Sequence, residues 1–379
     1  MNRKKTALQR LRSRLESISG TQEAAPLFGI ETVLLIISIL YGAVMAIRAR
    51  GYRIGLLSSR SLPCRVVAIG NITAGGTGKT PMTIFTAQAI QRLGYRVVVI
   101  SRGYKGRLER KGGVVSDGRS VFYGPDIAGD EPYLMASALT GIPVVVGSDR
   151  YQAGMLAMRR FAPQVIVLDD AFQHLRLRRD LDLVLLDWRS PLGNGYMIPR
   201  GRLREPVSAL QRAHGLVVTR CEDASCTPAI PEGKGCRPVF HTRHLPVVEL
   251  VNAAGDAHLD APLGASILKG KNAVAFSGLA DNDQFFRSLK EIGCRLLDQL
   301  SFADHHPYGI DDLNRILGRA AATDAELLVT SAKDWVKIKP LYHWPLAVAA
   351  IDVRIGLYND ETRFHDFLSA ALSKAATGH

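Results

Sequence analysis

The stretch Thr73-Ala74-Gly75-Gly76-Thr77-Gly78-Lys79-Thr80 combines glycines, a lysine and a threonine in the order that grips a polyphosphate. Glycines let backbone N–H groups turn toward phosphate oxygens. The following helix start adds partial positive charge at the same place. Lys79 is placed to reach the β- and γ-phosphates, and the Thr80 hydroxyl to ligate Mg²⁺. One position departs from the full pattern, because Thr73 stands where the first glycine is expected. The context still favours the motif: an apolar run, Arg65 to Ile69, precedes it, and a helical pattern from Pro81 to Leu93 follows.

Three further groups of residues could do chemistry with a bound triphosphate. Asp169 and Asp170 end the apolar run Val165-Ile166-Val167-Leu168, the form of a strand that presents a carboxylate to Mg²⁺ opposite Thr80. Successive side chains on a strand point to opposite faces, so one of the two is expected to touch the metal. Asp130, in Gly129-Asp130-Glu131-Pro132, could deprotonate a hydroxyl or cap the helix after it, and spacing alone favours the cap. His305 lies between Asp304 and His306; lone histidines are more often structural than catalytic, and spacing alone leans that way.

These groups need a scaffold that brings strand ends together. Arg96 to Ile100, Pro143 to Val146, Val165 to Leu168, Leu181 to Leu186 and Leu216 to Thr219 are short continuous apolar runs separated by helical stretches. That alternation implies a P-loop NTPase-type parallel sheet with helices on both faces, with ligands at the carboxyl ends of its strands. After a loop rich in Pro, Gly and Cys, Ala273 to Gly278 and Leu327 to Thr330 read as strands of a second, smaller α/β domain. The expected division is a basic N-terminal segment over 1–60, a P-loop domain over 61–225 and a C-terminal α/β domain over 226–379.

The chain carries a net charge of +13, and its first 60 residues hold ten Lys or Arg against three acids. Within them, residues 30–47 are apolar nearly all round apart from Glu31. As a helix this segment is roughly 27 Å long, the lower edge of spanning length. Basic residues flank it on both sides, which opposes translocation of either flank. A helix dipping into one leaflet, with its basic flanks on anionic headgroups, is favoured over a single span or a buried core helix. Five cysteines form no Cys-x-x-Cys pair, so a disulfide framework is not expected. Cys221, Cys226 and Cys236 with His241 and His244 match no common zinc spacing. The tail from Ala370 is small and polar and is expected to fray.

With these residues assembled, the chain resembles the tetraacyldisaccharide 4′-kinases of lipid A synthesis. The likeness runs from about Leu40 to Asp352. It is carried by Gly70-Asn71-Ile72-Thr73 leading into the P-loop, Ser101-Arg102-Gly103-Tyr104, Gly129 to Pro132, and Leu168-Asp169-Asp170-Ala171-Phe172-Gln173-His174. Leu203-Arg204-Glu205-Pro206, Phe276-Ser277-Gly278-Leu279, Asp304 to Tyr308, and Ser331-Ala332-Lys333-Asp334 complete the ordered set. The resemblance implies ATP- and Mg²⁺-dependent phosphorylation of the 4′-hydroxyl of a tetraacylated glucosamine disaccharide 1-phosphate, on the cytoplasmic face of the inner membrane. It implies that Asp130 is the general base, paired with His305, and that Asp169 and Asp170 serve Mg²⁺ with Glu205 joining them. Arg102 and Arg150 stand at strand ends as phosphate binders or ordinary ion pairs, and His174 is a further candidate for phosphate or substrate. Two positions depart from the family pattern: Ala171 replaces an expected glycine. Arg200 replaces an expected alanine, either to contact phosphate or headgroup or to face solvent.

Two rival readings remain beside this one. A membrane-associated P-loop ATPase without lipid kinase activity is the first. Its deviant-Walker regulatory form needs a second lysine before the loop's two glycines, where this chain has Ala74. A nucleic-acid-dependent ATPase is suggested by charge, but no aromatic–basic stripe accompanies it, and no nucleic-acid partner is expected.

Overall fold

The computed structural model describes residues 29–223, 225–226, 237–251, 263–341, 344–358 and 361–373. Cys236 and the last six residues, on which parts of the zinc and fraying expectations rest, lie outside them.

Apolar β-branched runs build the centre. Strand β1 (Arg65–Asn71) pairs in parallel with β5 (Val165–Leu168) on one side and β6 (Leu181–Asp187) on the other. Beyond β5 lie β2 (Val97–Ser101), β4 (Val144–Val146) and the antiparallel edge strand β3 (Gly113–Ser116). Beyond β6 lie β7 (Gly215–Thr219) and the long β8 (Val239–Val251). Every residue of β2, β4, β5 and β7 is buried. Strands covered on both faces need no polar alternation, which is why these runs were continuous in the sequence.

β8 carries the sheet into the second half of the chain. Its first residues, Val239 to His241, pair in parallel with β7, and Thr242 to Val251 pair antiparallel with β13 (Ala347–Leu357). From β13 the sheet continues in parallel through β12 (Leu327–Ser331), β10 (Asn272–Ser277) and β11 (Arg295–Ser301). The short β9 (Leu263–Gly264) pairs with β8 off this path. One sheet therefore runs unbroken across residue 226.

Two amphipathic helices, Asn282–Glu291 and Ile310–Thr323, bury Phe285, Phe286, Leu289 and Leu313, Ile316, Ala320 against the second half. The last helix, Glu361–Ser373, turns back to the first half instead. Its Phe364, Leu368 and Leu372 join Met82, Ile90 and Phe240 in one core, and Leu372 is buried although the tail was expected to fray from Ala370.

The apolar N-terminal helix runs over Ile30–Arg53, longer than the segment read from the sequence, and is long and apolar enough to cross a membrane. It is not a core helix: Ile39 and Leu40 are each 62% exposed and Ile47 is 71% exposed. One side of it is nonetheless tied to the body. Ser38 Oγ donates to Met197 O at 2.8 Å, Tyr41 Oη donates to Arg204 O at 3.1 Å, and Arg48 donates to Gln173 O at 3.1 Å. Arg200 belongs to this seam. It is 2% exposed, stacks over the Tyr196 ring and reaches Glu31 O, so the expectation that it faces solvent, phosphate or headgroup fails.

The return of the last helix gives a direct test. Phe364 is fully buried and meets the Phe240 ring edge-on at 5.0 Å. Phe364→Ala is expected to cost about 3–5 kcal/mol. In denaturant unfolding of detergent-solubilised protein this appears as an earlier transition, including its P-loop half.

Candidate functional site

The P-loop forms as its residues require. Strand β1 ends at Asn71, the chain crosses the glycines, and a helix begins at Lys79. Gly75 and Gly78 have φ of 122° and 80°, a region that side chains avoid. Three neighbours hold the loop. Asn71 donates to Thr77 Oγ1 at 2.9 Å, Arg220 donates to Gly76 O at 2.7 Å, and the Ala74 N–H donates to Arg202 O at 2.6 Å. Thr73, the departure from the motif, is buried and bridges to Leu203, so this position braces the loop against the segment that carries Arg204. The space beside Gly75 and Gly76 is open where a Cβ would stand. Lys79 folds over the loop, 3.5 Å from Gly75 O and 3.8 Å from Asp170. Thr80 follows in the first helical turn.

Asp169 and Asp170 leave β5 in different environments. Asp169 is buried and accepts from Thr83 at 3.0 Å and Ser101 at 3.1 Å. Burial, then the nearby Glu131 and Asp170 charges, raise its carboxyl above the usual carboxylate range. Asp170 has a left-handed backbone, φ 45°. Burial works against its charge, yet Lys79 and Arg204 outweigh it and hold this carboxyl low. Arg204 grips it with both terminal nitrogens, at 2.8 Å and 3.2 Å. The two side chains diverge, but the cause is the turn after Leu168 with its left-handed Asp170 and not the strand alternation expected from the sequence. Glu205 is turned to another partner: it is 1% exposed and accepts from Arg212 at 2.6 Å.

Asp130 opens the helix Asp130–Ala138, but it does not cap it. The residue before the helix is Gly129, at φ 93°, and the Asp130 side chain turns away to another part of the chain. The cap reading therefore fails. Asp130 Oδ2 lies 2.9 Å from His305 Nδ1, across 175 residues of sequence. The same oxygen lies 3.0 Å from Lys337 Nζ. Burial alone would raise the Asp130 carboxyl, but the His305 hydrogen bond and Lys337 bring it below the usual range. His305 has φ 60° and packs edge-on to the Tyr104 ring at 5.6 Å. Its Nε2 lies 3.3 Å from Lys333 Nζ. A cavity of about 130 Å³ is lined by Thr80, Glu131, Lys333 and Asp352, so it joins the P-loop helix to the second half of the sheet.

The remaining candidates separate. Arg102 is an exposed partner of Glu109 at 2.7 Å, half-stacked on Tyr104. Arg150 is buried, donates to Gly147 O at 2.6 Å, and has its basicity pushed down to about 10 by burial. Its Nε has no partner among the described residues. His174 is held neutral, pushed down to about 4 by burial and by Arg150 and Arg179. Ala171 is fully buried, so a methyl is accommodated where glycine was expected. Among the described residues no group of three or more His, Cys, Asp or Glu side chains forms a metal cage. His244, one of the zinc candidates, lies instead under the P-loop beside Gly78.

Sequence reading missed Lys337, Arg220 and the role of Asp334. The signal for the first was present: Lys333 and Lys337 are four apart on one helix, Ala332–Ile338, and therefore share a face. Asp334 between them is fully buried, accepts from the Gly278 N–H at 2.9 Å and from Ser331 at 2.6 Å, and stands 3.8 Å from Lys337. Burial, then the Asp334 carboxylate, raises the neighbouring Tyr308 phenol. One buried carboxylate thereby ties the Phe276 to Leu279, Asp304 to Tyr308 and Ser331 to Asp334 motifs together.

Gly78 supplies the test of the loop. A Cβ there would meet His244 Nε2 at 2.9 Å, at a φ of 80°. Gly78→Ala is expected to weaken ATP binding by about tenfold or more, because side chains at such φ cost on the order of 1–3 kcal/mol. The check is the ATP concentration needed to raise the melting temperature.

The geometry has close counterparts among known proteins. The model of the tetraacyldisaccharide-1-P 4′-kinase family, LpxK, matches residues 30–373. A tetraacyldisaccharide 4′-kinase from Desulfatibacillum aliphaticivorans is 40% identical over 96% of this chain and 98% of its own length. One from Geobacter metallireducens is 44% identical over 82% of this chain and 89% of its own. A crystal structure of LpxK from Aquifex aeolicus in complex with ATP superposes with a TM-score of 0.73 at 31% identity, covering 91% of this chain and all of that one. The match spans both halves of the sheet, the P-loop and the residues that meet at Asp130, and the chain belongs to the tetraacyldisaccharide-1-P 4′-kinase family.

Proposed function

We propose that this protein transfers the γ-phosphoryl group of ATP to the 4′-hydroxyl of a tetraacylated glucosamine disaccharide 1-phosphate, a step in lipid A synthesis. The observation that carries the reading is the Asp130–His305 pair, held 2.9 Å apart beside a cavity that opens onto the P-loop helix. A triphosphate grip alone fits any P-loop ATPase. A carboxylate kept ionised beside it adds what a hydroxyl acceptor needs.

In this reading the Gly75–Thr80 backbone and Lys79 hold the triphosphate, and Lys79 draws charge from the transferred group. Asp130 takes the proton of the 4′-hydroxyl as its oxygen bonds to the γ-phosphorus and the bond to the β,γ-bridging oxygen breaks, leaving ADP. His305 orients the carboxylate through its hydrogen bond to Oδ2. The donors fit Mg²⁺: a threonine hydroxyl and carboxylate oxygens are what a hard cation takes, and the buried Asp169 carboxylate accepts from two hydroxyls and from no cation. Thr80 with Asp169 or Asp170 would hold it, and it would neutralise phosphate charge. Glu205, held by Arg212, would act on the site from behind. Arg150, whose Nε has no partner among the described residues while a terminal nitrogen donates to Asp169 O, is the better phosphate candidate of the two arginines, and His174 remains a candidate for phosphate or substrate.

We place the protein on the cytoplasmic face of the inner membrane, with helix Ile30–Arg53 lying in the surface. Contacts to the body begin at Glu31 and end at Arg48, a rise of roughly 26 Å, close to the thickness of a bilayer core. A helix bonded along that length to a polar body does not span without taking the body with it. We also retain two lobes, 61–225 and 226–379, with the last helix lent back to the first.

Purified protein with ATP, Mg²⁺ and the disaccharide 1-phosphate lipid in detergent is expected to give a product one phosphate heavier. ATP hydrolysis without that product would favour the ATPase reading. Asp130→Asn is expected to lower kcat by about 100-fold or more while the ATP-induced rise in melting temperature persists. Near-normal turnover would remove Asp130 as the base. For the membrane, Ile39→Glu with Val44→Glu alters two exposed apolar positions and should move the protein from sedimented membranes to the supernatant.

A further inference from the structure

The helix Ala332–Ile338 presents two cations to the Asp130–His305 pair, one to each member. Lys337 Nζ is 3.0 Å from Asp130 Oδ2, and Lys333 Nζ is 3.3 Å from His305 Nε2. Both side chains are well enclosed, at 13% and 17% exposure. Each has its own second carboxylate: Asp334 is 3.8 Å from Lys337, and Asp304 is 3.4 Å from Lys333. The helix is itself pinned by Asp334, which accepts from Gly278 N and Ser331 Oγ.

An ammonium donates three hydrogens and accepts none. The contact with Lys333 therefore requires a lone pair on His305 Nε2, and the proton of the neutral ring sits on Nδ1. That proton is donated to Asp130 Oδ2. Oδ2 then accepts the His305 hydrogen bond, and the Lys337 ammonium lies 3.0 Å from the same oxygen as an ion pair. Among the described residues Asp130 Oδ1 has no hydrogen-bond partner, and it is the oxygen left for the substrate hydroxyl.

We propose that Lys333 and Lys337 are positioning residues for phosphoryl transfer. Lys333 sets the tautomer of His305, and Lys337 with His305 fixes Oδ2 of Asp130 so that Oδ1 faces the acceptor. This rests on the reading of Asp130 as the base. The arrangement trades some basicity for an ionised, oriented carboxylate. The titratable groups around it come from five elements: Lys333, Asp334 and Lys337 from the helix Ala332–Ile338, Asp304 and His305 from the loop after β11, Glu131 from Asp130's own helix and Asp352 from β13, both facing the shared cavity, and Tyr104 from the loop after β2, packed edge-on to His305. From the P-loop helix, Thr80 lines the same cavity and carries no charge.

The test is the pH dependence of kcat/KM for the lipid in the full-length protein. Losing the Lys337 cation removes a charge that lowers the Asp130 carboxyl, so the acidic limb should move to higher pH in Lys337→Met. Plateau kcat should fall about tenfold or more, with KM for ATP unchanged, and Lys337→Arg should restore the limb. Lys333→Met should lower kcat likewise and, in ¹⁵N-histidine spectra, shift His305 away from the Nδ1–H tautomer. Should Lys337→Met not fold, Lys337→Gln reads the same limb. An unmoved limb together with an unchanged His305 signal overturns the proposal if Asp130→Asn is inactive. If Asp130→Asn stays active, the base reading itself fails and this one goes with it.

Discussion

The hydrogen bond between Asp130 and His305 sets the strictest demand on this fold. Its partners lie on opposite halves of the sheet and must meet within 2.9 Å. Side chains can adjust by an ångström, not by the width of a domain. The two halves must therefore be one mechanical unit near the site. β8 provides this by pairing with β7 at one end and β13 along the rest, so a single strand belongs to both halves. The last helix closes the join from the other side, with Phe364 set between Phe240 and Phe85. Buried aromatic packing on the first half thus holds β13, and through it the neighbouring β12, whose end starts the lysine-bearing helix.

The same demand explains the strained backbone. Gly129, Asp170 and His305 all have positive φ, and each stands where a strand or loop turns a side chain into the candidate site. His305 and Asp170 are not glycines, so their conformations carry a cost. The Gly278 O contact to the His305 N–H offsets it at one site, and the Arg204 grip offsets it at the other. Electrostatics follows the same pattern. The Asp169 carboxylate accepts from two hydroxyls and is pushed up by burial, whereas Asp170 and Asp130 are each held down by basic neighbours. One buried and two half-buried carboxylates in one region are tolerable because their environments differ.

Much of the first half was legible in the sequence because its signals are local. A continuous apolar run makes a doubly covered strand, and glycines before Lys-Thr make the loop. The second half was less legible for a physical reason. β11 is an edge strand that alternates exposed and half-buried residues, and β8 and β13 form an antiparallel pair with interruptions such as Pro246. Asp130 was ambiguous in a different way. A carboxylate at a helix start caps it or reaches elsewhere, and only the position of Gly129 and a residue 175 places away decides. The resemblance to a kinase family supplied that partner; spacing could not have done so. Arg200 read as a surface residue because arginine usually is one, and its burial depends on an apolar helix whose contacting residues lie 162 and 169 places earlier in the chain.

That helix also changes how the site is understood. Its Tyr41 hydroxyl bonds to the carbonyl of Arg204, whose guanidinium grips Asp170, which in turn lies 3.8 Å from Lys79. Arg48 bonds to the carbonyl of Gln173, whose side chain bonds back to Asn71 at the foot of the P-loop. Two short chains of polar contacts therefore join the apolar N-terminal helix to the P-loop. A helix that served only as a tether would need no such contacts, and a flexible linker would do. Rigid attachment fixes the height and tilt of the site above whatever surface the exposed Ile39, Leu40, Val44 and Ile47 enter. For an acceptor whose sugar sits at the headgroup level and whose acyl chains stay in the bilayer, that fixed height is part of the positioning of the reacting hydroxyl.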